Sequence, residues 1–291
     1  MVNRLALSLM LAFFVLCPGP AAAQMIHIWP TPLGKGQPAM VTACLRGSPA
    51  RAEVEFLGRK TPLQRGARGC YYAVVAAPLD APLGRQTLRV FADGRQAAAA
   101  LITVKAMDYG VRRITVHKKF DDLSPAELEK YKKDQAKIAA AYSRRTPERY
   151  WSGPFIRPVP GVVVSKFGRR SVVNGVEKLP HSGVDLRAAT GEPVKATAAG
   201  VVAVALDHYF GGQTIIIDHG QGVVSRYLHL SAMLVKEGQR VAKGQIIAEV
   251  GATGRVTGPH LDFGVGVGGA RIDPLAWLEL SRRYAAALEA N

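Results

Sequence analysis

The sequence predicts a mainly β protein: an N-terminal β-sandwich, a short helical linker and a C-terminal domain of antiparallel strands. Three observations predict it. Short β-favouring runs separated by turn residues fill the stretch from about Ile26 to Lys105. A charged stretch with a helix-start signature follows, and glycine-punctuated β-branched runs occupy Trp151 to about Pro274. The predicted divisions are 1–23, 24–106, 107–150 and 151–291. A chain of 291 residues with 48% hydrophobic content can give both β regions a core.

The first division reads as a signal peptide. Arg4, the apolar run LALSLMLAFFVLC and Ala21-Ala22-Ala23 supply its charged, apolar and small-residue parts, and cleavage is expected after Ala23. The run is short of the roughly twenty residues that span a bilayer. Cys17 lacks the small residue expected just before a lipidated cysteine. No later segment is apolar enough to cross a membrane, so a soluble, exported mature protein is expected. Export leaves Cys44 and Cys70 as an even pair in an oxidising compartment, which predicts a disulfide between them, two buried free thiols being the alternative. The net charge of +16 is spread along the chain without a dense basic run or a pattern of stacking aromatics. Anionic envelope polymers therefore account for it better than nucleic acid, which ranks last.

In the second division the runs PAMVTACL, RAEVEFL, GCYYAVVA, RQTLRVFA and AAALITVK alternate with turns at Gly47-Ser48-Pro49, Gly58, Pro82 to Gly84 and Asp93-Gly94. This spacing suggests a small sandwich, with Cys44 in one run and Cys70 opening another. The third division contains LSPAELEKYKKDQAKIAAAY, where Ser124, Pro125 and Glu127 form a capping-box start. Leu128, Tyr131, Ile138 and Tyr142 are loosely spaced for one face of a surface helix. In the fourth division GEPVKATAAGVVAVA, QTIIIDHGQGVVSRYLHL and VKEGQRVAKGQIIAEVGATG read as antiparallel strands, with Gly220-Gln221-Gly222 as a tight reversal.

Two stretches in that division carry chemistry. HSGVDL places His181 and Asp185 four apart, and GPHLDF places His260 and Asp262 two apart, on one face if the stretch is a strand. An enzymatic zinc site usually takes three protein ligands and keeps a fourth position for water. His181 and Asp185 can supply two, and either His260 or Asp262 the third. Tyr227 and His229, again two apart, would share a strand face nearby. His27, His117 and His208 read as surface or core histidines, and His219 as a turn residue.

FGRR, HSGVDL, AAGVV, IDHGQG, YLHLS, GQRVAKGQ and TGRVTGPHL, in that order and spacing, closely resemble the LytM or lysostaphin-type zinc endopeptidases of bacterial cell walls. The resemblance covers roughly Pro158 to Leu278. The β-rich first half, the helical linker and SGPFIRPVPGVVVSKFGRR further resemble envelope members with an Ig-like domain before the peptidase. PVKATAAGVV and VKEGQRVAKGQIIAEV also resemble the hammerhead of biotinyl and lipoyl carriers, but no Met-Lys-Met turn is present. The peptidase resemblance implies one zinc ion per chain, held by His181, Asp185 and a third ligand at the position of Asp262, where the family has the second His of His-x-His. It implies catalytic roles for His260 and for His229, with Tyr227 in support. The implied substrate is the stem peptides of peptidoglycan, in the periplasm first and outside the cell second.

Asp262 is the departure from that pattern. A carboxylate in place of a neutral imidazole cancels zinc charge and is shorter than an imidazole bound through its far nitrogen. The expectation is that Asp262→His tightens zinc binding and raises turnover. The alternative function is a regulator that binds a wall hydrolase or peptidoglycan without cutting.

Overall fold

The computed structural model describes residues 25–66, 69–114 and 123–289. The predicted signal segment with Cys17, and His117, lie outside them.

The N-terminal half contains β1 (Met25–Trp29), β2 (Leu33–Gly34), β3 (Gln37–Cys44), β4 (Ala52–Phe56), β5 (Arg59–Pro62), β6 (Gln64–Arg65), β7 (Tyr71–Ala77), β8 (Gly84–Ala92) and β9 (Arg95–Lys105). They make two sheets, ordered β1-β3-β7-β6 and β2-β9-β8-β4-β5. Alternation along each strand sends Val41, Ala43, Ala73 and Val75 from the first sheet against Val54, Leu88, Val90 and Ile102 from the second, in one buried cluster. Cys44 and Cys70 are joined by a disulfide that ties the end of β3 to the start of β7.

The C-terminal half contains β10 (Val111–Ile114), α1 (Pro125–Ser143), β11 (Val163–Ser165), β12 (Arg170–Val173), β13 (Val176–Lys178), β14 (Val184–Arg187), β15 (Pro193–Lys195), β16 (Gly200–His208), β17 (Gly212–Gly220), β18 (Val223–Met233), β19 (Arg240–Val241), β20 (Ile246–Val250), β21 (His260–Val267), β22 (Ala270–Ile272) and α2 (Pro274–Glu289). A small sheet runs β10-β12-β13. The main sheet runs β11-β14-β21-β18-β17-β16-β19, with antiparallel neighbours throughout.

The two faces of this main sheet have different fates. On one, Leu186, Ile215, Ile217, Tyr227, Phe263 and Val265 are fully buried in a cluster completed by Trp277, Leu280 and Tyr284 of α2. The same cluster takes in Tyr72, Val74 and Ala76, the outward side of β7, so one core joins the two halves. Helix α2 was not among the expected elements, which ended near Pro274. On the other face α1 covers Val204, Ile216 and Val224 with Ile138, Ala141 and Tyr142.

Helix α1 begins at the expected capping box: Ser124 Oγ accepts from the Glu127 N–H, and the Glu127 carboxylate accepts from the Ser124 N–H at 2.8 Å. Leu128, expected on the packed face, is exposed instead. That end is held by polar contacts, Lys130 Nζ donating to the Asp207 carbonyl and Gln135 Nε2 lying 2.9 Å from His208 Nε2.

Candidate metal centre

Strands β14 and β21 pair so that Asp185 lies opposite Asp262 and Arg187 opposite His260. Residues opposite one another point the same way, so Asp185, His260 and Asp262 rise from the face that α1 partly covers, while Val184, Leu186, Leu261 and Phe263 enter the core. His181 precedes β14 and is fixed through its backbone, its N–H donating to the Arg169 carbonyl and its carbonyl accepting from the Gly168 N–H. Its Nε2 lies 3.2 Å from Asp185 Oδ1 and 3.4 Å from Asp262 Oδ2. One donor atom from each of His181, Asp185 and Asp262 falls within 4.8 Å of the others, which is the spacing of a metal-ligand set.

Gly183 makes this closeness sterically feasible. A Cβ there would sit 2.1 Å from Asp262 Oδ1 and 2.8 Å from the Phe263 carbonyl. The glycine of HSGVD is therefore the gap through which one strand's ligand reaches the next strand's.

All three histidines of the site are held in the same way. Nδ1 of His181 lies 3.2 Å from the Lys166 carbonyl, Nδ1 of His229 lies 2.9 Å from the Thr253 carbonyl, and Nδ1 of His260 lies 2.9 Å from the Gly258 carbonyl. A backbone carbonyl can only accept, so each Nδ1 carries a proton and each Nε2 is left to face the site, with a lone pair at His229 and His260 and with a second proton between the two carboxylates at His181 in the absence of metal. The rings of His229 and His260 are 4.9 Å apart, and His260 Nε2 is 3.7 Å from Asp185 Oδ1.

His229 reaches this cluster by an irregularity. Tyr227 pairs with Ile215 and Leu230 with Gln213, so β18 carries one residue more than β17 over that interval. His229 takes up the bulge with a left-handed φ of 64°. The expectation that Tyr227 and His229 share a face is corrected here, because alternation is reset between them. Tyr227 is fully buried on the core side, where its hydroxyl accepts from the Thr197 N–H and lies 3.0 Å from Ser225 Oγ. Burial pushes its phenol up to about 12. His219 is likewise corrected. It lies in β17, fully buried, bonded to the Ala199 carbonyl and Ser225 Oγ at 2.8 Å each, and burial pushes its pKa down to about 4.

The sequence reading passed over Arg226, one residue before Tyr227. Its buried guanidinium bonds Asp262 Oδ1 through Nη2 at 3.0 Å and Ser182 Oγ through Nη1 at 3.1 Å. The only available signal was position: Arg226 stands two residues before Leu228, which pairs with Asp262, so alternation places it on the site's face.

The electrostatics follow from these contacts. Burial penalises a charged imidazole at His181, but the hydrogen bonds and charges of Asp185 and Asp262 outweigh this and raise its pKa to about 10. Burial also opposes ionisation of Asp262, yet the Arg226 charge and the His181 contacts hold its carboxyl far below the usual range. At neutral pH the metal-free site is thus two carboxylates around one imidazolium proton, and that proton lies where a cation bound by these donors would lie. The donor set of one imidazole nitrogen and two carboxylate oxygens fits a zinc-type ion.

This assembly, a histidine and two carboxylates with two further oriented imidazoles on an antiparallel sheet, could hold a metal ion beside two proton-carrying groups. Residues 179–274 match the model of peptidase family M23. A crystal structure of a Pseudomonas aeruginosa protein assigned to peptidase M23 superimposes with a TM-score of 0.68 at 30% identity, over 87% of this chain and 96% of that one. The chain belongs to peptidase family M23. Among curated relatives it is 44% identical over 96 residues to the peptidoglycan DD-endopeptidase ShyA of Vibrio cholerae, and 40% identical over 96 residues to the DD-carboxypeptidase/endopeptidase Mpg of Neisseria meningitidis. Each match takes in 33% of this chain and 22% of the relative, so the chain spans about a fifth of their length. Among the described residues no helix is long and apolar enough to cross a membrane.

Proposed function

We propose that this protein is a zinc-dependent endopeptidase that hydrolyses peptide cross-links of peptidoglycan in the bacterial envelope, exported to the periplasm. The observation that carries the reading is the convergence of His181, Asp185 and Asp262 beside the Nε2 atoms of His229 and His260, within the segment that matches the family. His181, Asp185 and Asp262 would hold the ion. When bound, zinc supplies a Lewis acid for the scissile carbonyl and lowers the pKa of water.

The chain's own residues do the rest. His229 and His260 present unprotonated Nε2 atoms to the same space, where one can orient the attacking water and the other can accept its proton and then return that same proton to the leaving amine. Their fixed Nδ1 bonds hold this tautomer before substrate arrives, which removes a reorganisation step. The two relatives' names point to D,D peptide bonds of wall stem peptides as the substrate class. They also weigh against the non-cutting regulator as the alternative.

The test is zinc analysis and cleavage of cross-linked muropeptide by the purified mature protein. One zinc per chain with cleavage is expected, and His229→Ala or His260→Ala should keep the metal while losing about 100-fold or more in kcat. Absence of both stoichiometric zinc and cleavage would sink the reading.

A further inference from the structure

We infer that Arg226 is a positioning residue that turns Asp262 into the electrostatic equivalent of a neutral ligand, so that Arg226 and Asp262 act as one unit at the metal centre. The inference rests on the metal reading of the site and goes beyond it.

Three observations carry it. First, the guanidinium engages Oδ1 of Asp262 and leaves Oδ2 facing His181 Nε2, so a single oxygen of this carboxylate remains directed at the ligand set. Second, the pair is sequestered, with side-chain exposures of 8% for Arg226 and 9% for Asp262, so solvent does not screen the interaction. Third, the sheet is tailored around it. Gly264 pairs with Arg226 across the strands, and a Cβ at 264 would come within 3.1 Å of Arg226 Nε. Ser182, inside the HSGVD stretch, takes the other guanidinium nitrogen and ties Arg226 to the segment that carries His181 and Asp185.

The consequence is a charge balance. Asp185 and Asp262 each bring a negative charge, and Arg226 returns one positive charge. The side chains around a dication therefore carry the same net charge as two neutral imidazoles and one carboxylate. This reverses the expectation formed from sequence. Asp262→His on its own would not repair the site, because it leaves a buried guanidinium, stripped of its carboxylate, beside a dication.

A two-residue cycle on the full mature chain tests this, with zinc affinity measured by competition against a chromogenic chelator and thermal unfolding measured without metal. Asp262→His alone should weaken zinc binding about tenfold or more, and adding Arg226→Met should recover most of the loss. In the metal-free protein Arg226→Met should lower Tm more in the native background, where it strands a buried carboxylate, than beside His at 262. Should Asp262→His fold poorly, the native background still decides through charge. Arg226→Lys keeps the charge while giving up the Ser182 bond, and should retain clearly more kcat than neutral Arg226→Gln, which should lose about tenfold or more with KM unchanged. Tighter zinc binding by Asp262→His with no further effect of Arg226→Met would overturn the inference, as would equal kcat for the Lys and Gln variants. A native protein that takes up no zinc would instead overturn the metal reading, while the metal-free Tm cycle would still report on the pair.

Discussion

One face of the main sheet is two surfaces in succession. Toward β16 and β17 it is apolar and covered: Val204, Ile216 and Val224 meet Ile138, Ala141 and Tyr142 of α1. Toward β14 and β21 it is polar and partly open, carrying His181, Asp185, His260 and Asp262. Strand β18 belongs to both, since Val224 lies under the helix and Arg226, next on the same face, lies under the carboxylates. The transition takes place within a single two-residue step. It teaches that the helix read from sequence as a linker also forms the wall where the site begins: a Cβ at Gly266 would meet the Tyr142 ring at 2.6 Å.

The comparison can be broken most sharply at Gly183. Gly183→Ala places a carbon against Asp262 Oδ1 and the Phe263 carbonyl, so the ligands must part; zinc affinity should fall about 100-fold, read by chelator competition. The covered half should respond in the opposite sense. Ile138→Ala opens a cavity under α1 and should cost about 3 kcal/mol in denaturant unfolding while changing zinc affinity by less than about threefold. If it abolished zinc binding, the two halves of the face would be one unit. The smallest effect, pH, sharpens the polar half. His181 holds its proton up to about 10, so below that value zinc must displace one proton, and apparent affinity should rise about tenfold per pH unit between 6 and 8. The same shift has a sign for stability without metal. The folded chain holds this proton more tightly than the ordinary histidine value of 6.5, so the contribution is fully present below 6.5 and is lost as pH rises toward 10.

Much of this was legible in the sequence where a local rule applies. The capping box at Ser124 and Glu127 announces α1, because its two reciprocal bonds depend only on residues three apart. His181, Asp185 and Asp262, proposed as a ligand set from HSGVDL, GPHLDF and the family resemblance, do converge, because β14 and β21 pair with the two carboxylates opposite one another. What was missed depends on register. His229, expected at the site from the family resemblance, reaches it only through a bulge that alternation cannot foresee, while Tyr227 stays in regular register opposite Phe263 and faces the core. Arg226 reads as a solvated strand residue until its neighbour across the sheet is known to be a carboxylate. Helix α2 carried a signal that went unused: Trp277, Leu280 and Tyr284 are spaced by three and four and are its buried face.

The backbone of His181 is fixed by the loop that contains Phe167 and Gly168. Phe167 is itself buried edge-on against Tyr109, whose hydroxyl donates to the Lys35 carbonyl and accepts from Gln37 Nε2. A line of contacts thus runs from the first metal-ligand candidate, through two aromatic rings, into the turn before β3. The N-terminal half is in that sense a foundation stone of the centre, and a catalytic half cut free of it would carry its histidine on an unsupported loop.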